Sequence, residues 1–492
     1  MSAPSSTPPQ RAGLALLVAL LAAYLLESWR IPAQFDDAYI SYRYAANLIA
    51  GNGLVFNPGE YVEGFSNLLW TLLVAAGMAL GIPAKVVGHA LGLASGIGVL
   101  TATYLYVRAL LPEQSVWAGL AAWVIYSTPS FERWAISGME TPMFSAWIVG
   151  AFAAEARGRT SLATGLAALA MLTRPEGALV AASLFGFRAL ALGLRDVRVW
   201  GHALAYAGLC GALTVFRLAY YGVPLPNTFY AKVGGVWLST SLLSTSVYLA
   251  GSGGLLLFPG LAVTWRRRLA WPGLAFTLVF LAYVIYVGGT QRYLTPVVPC
   301  LAALGSVGVA AWWQRGRFGR ATVAGYVALT LVINFVGVGL LNMKEVRQVF
   351  GGDSRWHGIA AERKGDADGE QLAAFRTRLL HQRGEPIKSV ATGGIGALGF
   401  YSGLPIVDIL GVIDPVVART PVQDSDRFSL PGHQRSNADY VFSREPDYIL
   451  IGNGEDLKRP DWVPALNHLR QHPEMARRYV YDREIIGYKR VK

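Results

Sequence analysis

The stretch Phe35-Asp-Asp-Ala-Tyr-Ile-Ser-Tyr-Arg-Tyr-Ala-Ala-Asn-Leu48 decides how the rest of the chain is interpreted. It places two adjacent carboxylates, Asp36 and Asp37, shortly after the apolar run of residues 14–25. The pattern predicts a helix over residues 38–50, because glycines then interrupt it. One aspartate can cap this helix by accepting hydrogen bonds from the free N–H groups of its first turn. A second carboxylate at a membrane boundary is costly, so the pair indicates a functional site.

The remainder of the chain is too apolar for a soluble protein. Hydrophobic residues make up 53% and charged residues 15% of 492 residues, whereas soluble domains carry about 25% charged residues. Several apolar runs approach the ~20 residues that cross a bilayer. The net charge of +12 comes mostly from short loops between these runs, which indicates a membrane rather than nucleic acid. Cys210 and Cys300 both lie in apolar segments, which excludes a disulfide framework.

Charge placement sets the topology. If residues 68–80 lie along the outer membrane surface or dip into it, every later basic loop cluster falls on the cytoplasmic side. If this segment crosses, all of these clusters fall outside, against the positive-inside rule. We therefore predict about eleven spans plus a juxtamembrane hairpin, with a cytoplasmic N-terminus. The spans are predicted at residues 12–29, 85–107, 115–130, 140–156, 160–174, 177–194, 199–221, 237–263, 270–287, 293–313 and 321–341.

The chain divides into three predicted parts. Residues 1–11 are Ser/Pro-rich and are expected to be a disordered cytoplasmic segment. Residues 12–341 form a polytopic α-helical membrane domain, whose first extracytoplasmic loop covers residues 30–84. Residues 342–492 lose the apolar runs and are expected to form a small extracytoplasmic α/β domain. Its strands are predicted at residues 387–391, 405–409, 447–451, 479–481 and 485–489.

This topology places several polar motifs on the outer side, together with Asp36 and Asp37. The motifs are Phe-Glu-Arg-Trp-Ala-Ile-Ser-Gly-Met-Glu-Thr-Pro at 131–142, Thr-Arg-Pro-Glu-Gly at 173–177, Pro-Leu-Pro-Asn-Thr-Phe-Tyr-Ala-Lys at 224–232 and Gly-Thr-Gln-Arg-Tyr-Leu at 289–294. Acidic, basic and amide side chains on one face of a membrane predict a shared site.

Three basic residues in these motifs, Arg174, Lys232 and Arg292, are candidates for binding phosphate. An arginine fork binds phosphate through two parallel hydrogen bonds, and lysine supplies a point charge. The candidates for binding a sugar or an acceptor are Tyr39, Tyr42, Arg43, Glu140, Glu176, Asn227, Tyr230 and His433. Structural alternatives stay open: a helix-dipole role for Glu140, a local pair of Arg174 with Glu176, and interfacial anchoring for Lys232.

A glycine-rich run at residues 393–399 superficially suggests a dinucleotide-binding turn. We interpret it as a turn that allows close packing, because no convincing βαβ unit follows and the segment is predicted outside the cytoplasm. Histidine and cysteine are too scattered for a metal site to be built from spacing. We therefore predict no cofactor and no nucleic-acid partner, and a divalent cation is not indicated.

Taken together, the motifs resemble those of GT-C fold glycosyltransferases. More closely, they resemble the terminal arabinofuranosyltransferases of the mycobacterial cell wall and relatives that glycosylate type IV pilins. The pieces that carry the resemblance are Phe-Asp-Asp-Ala-Tyr-Ile-Ser-Tyr-Arg-Tyr-Ala, Val-Glu-Gly-Phe-Ser-Asn, Ser-Gly-Met-Glu-Thr, Leu-Thr-Arg-Pro-Glu-Gly, Leu-Pro-Asn-Thr-Phe-Tyr, Leu-Gly-Val-Ile-Asp-Pro and Pro-Gly-His. They extend over most of the chain.

The resemblance implies a polyprenyl-phosphate sugar donor, used on the outer face of a bacterial plasma membrane. It also implies a catalytic carboxylate in the first loop, which we carry over to Asp36 and Asp37 only. Arabinofuranose is the preferred sugar. The acceptor stays open between a glycan and a pilin-like protein, since the chain is shorter than the mycobacterial enzymes.

Two other functions stay open. A glycolipid transporter or flippase would need polar residues at the bilayer midplane, whereas these motifs crowd one side, and no internal repeat is found. A non-catalytic membrane protein that binds lipid phosphate would show the same basic residues. An assay for a glycosidic product separates either of them from a transferase.

Overall fold

The computed structural model describes residues 8–32, 34–234, 237–251, 261, 264–288, 291–325, 328, 359–423, 432–451 and 463–491. Helices make up most of the chain up to Trp313. They are α1 (Pro8–Ser28), α2 (Asp36–Ile49), α3 (Leu68–Ala79), α4 (Ala84–Leu110), α5 (Ser115–Tyr126), α6 (Pro129–Ala135), α7 (Thr141–Ala156), α8 (Thr160–Thr173), α9 (Ala178–Leu192), α10 (Val197–Tyr221), α11 (Asn227–Lys232), α12 (Leu238–Gly251), α13 (Trp271–Val287), α14 (Gln291–Leu294) and α15 (Val298–Trp313). Short 3-10 turns precede α9, α13 and α15.

Six helical segments in the described part are long and apolar enough to cross a membrane. They are Arg11–Ser28, Ala84–Leu110, Pro175–Leu192, Val197–Tyr221, Arg268–Val287 and Arg292–Trp313. At 1.5 Å per residue, such helices cover most of a hydrocarbon core of about 30 Å. The protein is therefore a multi-pass membrane protein, and the count of about eleven spans stays a prediction.

The remaining predicted spans correspond to shorter helices or to segments beyond the description. Helices α5, α7 and α8 contain 12, 16 and 14 residues. The predicted spans at 237–263 and 321–341 lie partly or largely outside the described residues. Helix α1 begins at Pro8, ahead of the predicted start at residue 12, and the rest of the predicted disordered segment lies outside the described residues.

Helix α3 is the segment on which the predicted topology depends. It contains 12 residues and is thus about 18 Å long, too short to cross a bilayer. It packs against α2 and α4, and Leu80 at its end is 81% exposed. This geometry agrees with the prediction that residues 68–80 do not cross.

Residues from 359 onwards contain a five-stranded sheet covered by helices. Its strands are β1 (Val390–Thr392), β2 (Ile406–Asp408), β3 (Tyr448–Leu450), β4 (Tyr479–Asp482) and β5 (Gly487–Arg490), in the order β2-β1-β3-β5-β4. The helices are α16 (Ile359–Gln382), α17 (Gly396–Ser402), α18 (Pro415–Arg419), α19 (Ala438–Ser443), α20 (Pro464–Gln471) and α21 (Pro473–Arg478). Strand β1 is parallel to β2 and β3, whereas β5 is antiparallel to β3 and β4. Each strand overlaps one predicted from the sequence.

The sheet is buried on both faces, and one face packs on the first loop. Side chains alternate across a strand, so Val390 and Tyr448 join a hydrophobic cluster that also contains Tyr39 and Trp70 of α2 and α3. Ala391, on the opposite face, joins a second cluster within the C-terminal part. A single core therefore connects α2 with the sheet and fixes the start of α2 relative to α17.

Candidate functional site

Asp36 is the first residue of α2, and its carboxylate lies at the start of α17. Its Oδ2 accepts a hydrogen bond from Gly396 N at 3.1 Å, and Oδ1 accepts one from Ala397 N at 2.8 Å. A Cβ at Gly396 would lie 1.8 Å from the backbone oxygen of Asp36. The glycine-rich run therefore serves close packing, as predicted, and Asp36 caps a helix of the C-terminal part.

Asp37 has a different neighbour. Its Oδ2 accepts a hydrogen bond from Nη1 of Arg292 at 2.6 Å. The side chain of Asp37 is 43% exposed and that of Arg292 is 13% exposed. The second Arg292 nitrogen, Nη2, lies 3.6 Å from Oε1 of Glu140. The Asp37–Arg292 pair thus forms the accessible end of a longer chain of charged groups.

Glu140 is the buried centre of that chain. Its Oε1 accepts a hydrogen bond from Nη1 of Arg174 at 2.7 Å, and its Oε2 accepts one from Nδ2 of Asn67 at 2.9 Å. Burial alone would raise the pKa of this carboxyl, but attraction to Arg292 and Arg174 and the Asn67 hydrogen bond lower the pKa to about 2. Glu140 is therefore ionised and holds both arginines.

Arg174 extends the network to the turn before α9. Its Nη2 donates to Oε1 of Glu176 at 2.9 Å, and the hydroxyl of Tyr283 donates to the same oxygen at 3.2 Å. The local Arg174–Glu176 pair is thus present, and Arg174 also belongs to the larger network. The other carboxylate oxygen of Glu176, Oε2, has no partner among the described residues.

Tyr293 brings the third predicted phosphate-binding residue into the same place. The Nζ of Lys232 lies 5.9 Å from the centroid of this ring, and Cζ of Arg174 lies 5.4 Å from it. Tyr293 directly follows Arg292 in α14. The fold therefore gathers Arg174, Lys232 and Arg292 around one tyrosine, although these residues come from three separate loops.

Asn227 and Tyr230 lie where the loop before α11 meets the C-terminal part. Nδ2 of Asn227 donates to the backbone oxygens of Gly411 and Val412 at 2.8 and 3.1 Å. The guanidinium of Arg419 stacks on the ring of Tyr230, with Cζ 4.3 Å from the ring centroid. Asn227 therefore ties the two parts together, whereas Tyr230 supports an arginine that the sequence did not single out.

Three residues predicted to bind sugar or acceptor are used for packing instead. Tyr39 and Tyr42 are 0% exposed, because the aromatic rings of α17 cover Tyr39 and Gln34 accepts the hydroxyl hydrogen bond of Tyr42 at 2.6 Å. Arg43 donates from Nε to the backbone oxygen of Phe56 and from Nη2 to that of Gly403. The prediction that these side chains line a ligand pocket is corrected accordingly.

His433 lies beside the basic cluster. The backbone N of this half-buried residue donates to Oε1 of Gln434 at 3.0 Å. A Cβ at the preceding Gly432 would lie 3.3 Å from Cγ of Lys232. The structure thus places this segment of the C-terminal part next to Lys232.

Sequence reasoning missed several residues that build the site. Asn67 ends the Val-Glu-Gly-Phe-Ser-Asn motif, and Glu63 of that motif accepts hydrogen bonds from Nε and Nη2 of Arg217. The motif was quoted as a whole, without a role for either side chain. Tyr293 and Arg419 carried no signal, because an isolated aromatic or basic residue is common at membrane boundaries.

Metal ligands are not grouped in the described part of the chain. No set of three or more His, Cys, Asp or Glu side chains lies close enough there to hold an ion. The charged groups of the site are instead paired acids and bases, an arrangement suited to binding an anion and moving a proton.

Comparison with known proteins gives three sequence matches. A family model described as a domain of unknown function (DUF8728) matches residues 361–486. The terminal beta-(1->2)-arabinofuranosyltransferase of Mycobacterium tuberculosis is 32% identical over 235 residues, which cover 43% of this chain and 37% of that protein. The protein of the same name from Corynebacterium glutamicum is 29% identical over 312 residues, which cover 52% of this chain and 44% of that protein. The chain thus matches less than half the length of either relative.

A solved structure extends the similarity to the fold. The crystal structure of ArnT from Cupriavidus metallidurans bound to undecaprenyl phosphate aligns with a TM-score of 0.52 at 14% identity, over 80% of this chain and 85% of that one. The protein therefore has the GT-C fold of membrane glycosyltransferases. Within this class, its curated homologues are terminal arabinofuranosyltransferases, and the predicted resemblance is confirmed.

Proposed function

We propose that the protein transfers a sugar, with arabinofuranose preferred, from a polyprenyl-phosphate donor to an extracytoplasmic acceptor. The sugar is suggested by the printed names of the curated relatives. The lipid phosphate is suggested by the ligand named for the ArnT structure. The outer side of a bacterial plasma membrane follows from the predicted topology.

The observation that carries the proposal is the accessible Asp37–Arg292 pair at the end of a buried, charge-balanced network. The network contains three acids and three bases: Asp37, Glu140, Glu176, Arg174, Lys232 and Arg292. A donor phosphodiester adds one negative charge, so a carboxylate has to give up its arginine. Glu140 and Glu176 are 1% and 9% exposed, against 43% for Asp37. Asp37 is the carboxylate that can move.

The donor phosphate then replaces Asp37 on Arg292, and the released carboxylate acts as general base. The acceptor hydroxyl oxygen forms a bond to the anomeric carbon, and the bond from that carbon to the phosphate oxygen breaks. The electron pair goes to the phosphate and the hydroxyl proton goes to Asp37. The total charge of the site is unchanged, because the phosphate gains one negative charge as Asp37 loses one. Arg292, Arg174 and Lys232 stabilise the departing phosphate.

An apolar cleft beside the network is suited to the first part of the lipid chain. It is lined by Val99, Ile125, Thr128, Phe131, Trp134, Pro142, Ser145, Thr295, Val298 and Pro299. Pro142 lies two residues from Glu140, and Thr295 lies three residues from Arg292. A prenyl group in this cleft would therefore have its phosphate next to the basic residues.

The test is identification of the product. Purified full-length protein is incubated with polyprenyl-phosphate donors that carry different sugars and with glycan or peptide acceptors, and the products are analysed by mass spectrometry. We expect a glycosidic product, formed best from the arabinofuranosyl donor. Binding of polyprenyl phosphate without a product from any donor would contradict a transferase and favour a lipid-phosphate-binding protein.

A further inference from the structure

A surface next to the candidate site combines an arginine with aromatic and apolar side chains. It is formed by α11 and α18, which pack on each other. Arg419 is exposed and stacks on Tyr230. Phe229, whose ring centroid is 5.6 Å from that of Tyr230, is 46% exposed, and Val416, one turn before Arg419, is 44% exposed. We call these four residues, Phe229, Tyr230, Val416 and Arg419, the rim surface.

The guanidinium of Arg419 is held in place but keeps unused hydrogen-bond donors. Its Nη1 donates to Oδ1 of Asn227 at 3.4 Å and to the backbone oxygen of Pro415 at 3.1 Å. Neither bond uses Nε or Nη2, and no carboxylate pairs with Arg419 within the part of the chain that the structure describes. An immobilised fork with free N–H groups is preorganised for a ligand, because little side-chain freedom is lost on binding.

Helix α11 connects the rim surface to the basic cluster. Lys232, at its end, contacts Tyr293 of the site, and Tyr230 lies two residues earlier. A helix rises about 1.5 Å per residue, so these two positions are roughly 3 Å apart along the axis and all of α11 is about 9 Å long. A molecule on the rim surface is therefore close to the phosphate-binding residues.

We propose that the rim surface binds an acceptor glycan and that Arg419 donates hydrogen bonds to its hydroxyl groups. This inference rests on the proposed glycosyl transfer and selects a glycan rather than a protein as acceptor. Free N–H donors beside exposed aromatic and apolar side chains suit a neutral molecule that carries hydroxyls on one edge and C–H groups on its faces. Two short helices offer no unpaired strand edge of the kind that binds an extended peptide.

The experiment compares acceptors of increasing length. Full-length wild type and Arg419→Ala receive a polyprenyl-phosphoryl arabinofuranose donor and neutral oligoarabinofuranosides, and a peptide acceptor in a separate series. We expect the substitution to raise the KM for the longer oligosaccharides about tenfold to hundredfold, as for the loss of hydrogen bonds from a charged group. The donor KM should not change.

Arg477→Ala is the matched control. Arg477 is an exposed arginine of α21 that pairs with Glu474, and its side chain is 74% exposed. It should leave both KM values unchanged. An unchanged acceptor KM in Arg419→Ala, an equal rise for donor and acceptor, or an effect limited to the peptide would overturn the assignment.

Direct binding separates this inference from the proposed function. Titration of a non-reacting oligosaccharide into wild type and Arg419→Ala needs no transfer. Weaker binding by Arg419→Ala supports the rim surface, even if no donor tested gives a product. Equal binding by the two proteins refutes it, even if the wild type is an active transferase.

Discussion

Asp36 and Asp37 are adjacent, but successive side chains on a helix are turned by about 100° from each other. Asp36 therefore accepts hydrogen bonds from two backbone N–H groups of α17, while Asp37 faces Arg292. A carboxylate engaged with two N–H donors is held as a cap, whereas one on an accessible arginine can exchange its partner for another anion. We therefore assign the proposed chemistry to Asp37 and the docking of α17 to Asp36.

Asp408 predicts a pH dependence of stability. It is 1% exposed, and burial raises its pKa from 3.8 to about 6, although backbone N–H groups of Leu410 and Ile413 donate to it. Because the folded-state pKa is the higher one, the contribution is fully present below about pH 4 and is lost as pH rises through 6. The loss amounts to about 3 kcal/mol.

The measurement is the unfolding midpoint of wild type and Asp408→Asn between pH 4 and 7. The wild type should lose stability relative to Asp408→Asn as pH rises, since the amide does not titrate. Asp439→Asn is the control, because the side chain of Asp439 is 93% exposed, and this variant should follow the wild type. Parallel curves for wild type and Asp408→Asn would refute the raised pKa.

Two features at the scale of elements hold the fold around the site. The start of α17 touches the start of α2 so closely that only glycine fits at residue 396. Within the membrane part, Arg188 of α9 donates to both oxygens of Glu155 at 3.0 and 2.6 Å and to Oγ1 of Thr164 at 2.9 Å. The first contact joins the C-terminal part to the first loop, and the second joins α7, α8 and α9.

Gly396→Ala should loosen the contact between α2 and α17. The added Cβ would meet backbone rather than a flexible side chain, so the helices must separate, at a cost of about 1–3 kcal/mol or more. Thermal unfolding and the rate of proteolysis in the C-terminal part measure the effect. Gly369→Ala is the control, because no atom lies within 4 Å of its added Cβ. Equal stability of the two variants would contradict the close approach.

Breaking the Arg188–Glu155 pair should destabilise the membrane part. The two side chains are 3% and 5% exposed, so Glu155→Leu leaves a buried charge and should cost about 3–5 kcal/mol. The double variant Glu155→Leu/Arg188→Met removes both charges and should recover much of this loss. Unfolding of the detergent-solubilised variants measures both effects. Additive losses in the double variant would show that the pair is not coupled.

At the scale of the whole molecule, the C-terminal part completes the site. One hydrophobic cluster runs from α2 and α3 to the sheet, and Asn227 bonds the loop between β2 and α18. The loop that carries Lys232 therefore takes its position from both parts of the chain. The predicted division at residue 341 describes a change in composition, while the packing is continuous across the two parts.

The sequence predicted what depends on local pattern. Apolar runs, the five strands and the gathering of Arg174, Lys232 and Arg292 followed from periodicity and charge placement. The burial of Tyr39 and the capping role of Asp36 could not be predicted, because their partners lie about 360 residues away. Local spacing also does not tell whether a polar motif faces a ligand or another part of the chain, as Arg43 illustrates.

The most direct test of the central claim compares Asp37→Asn with Asp36→Asn in a transfer assay with a polyprenyl-phosphoryl sugar. Asp37→Asn should stay folded and lose activity by about a hundredfold or more, as expected when a general base is removed. Asp36→Asn should unfold at lower temperature but keep activity within about tenfold while folded, since Asp36 acts through α17. Wild-type transfer by folded Asp37→Asn would contradict the account.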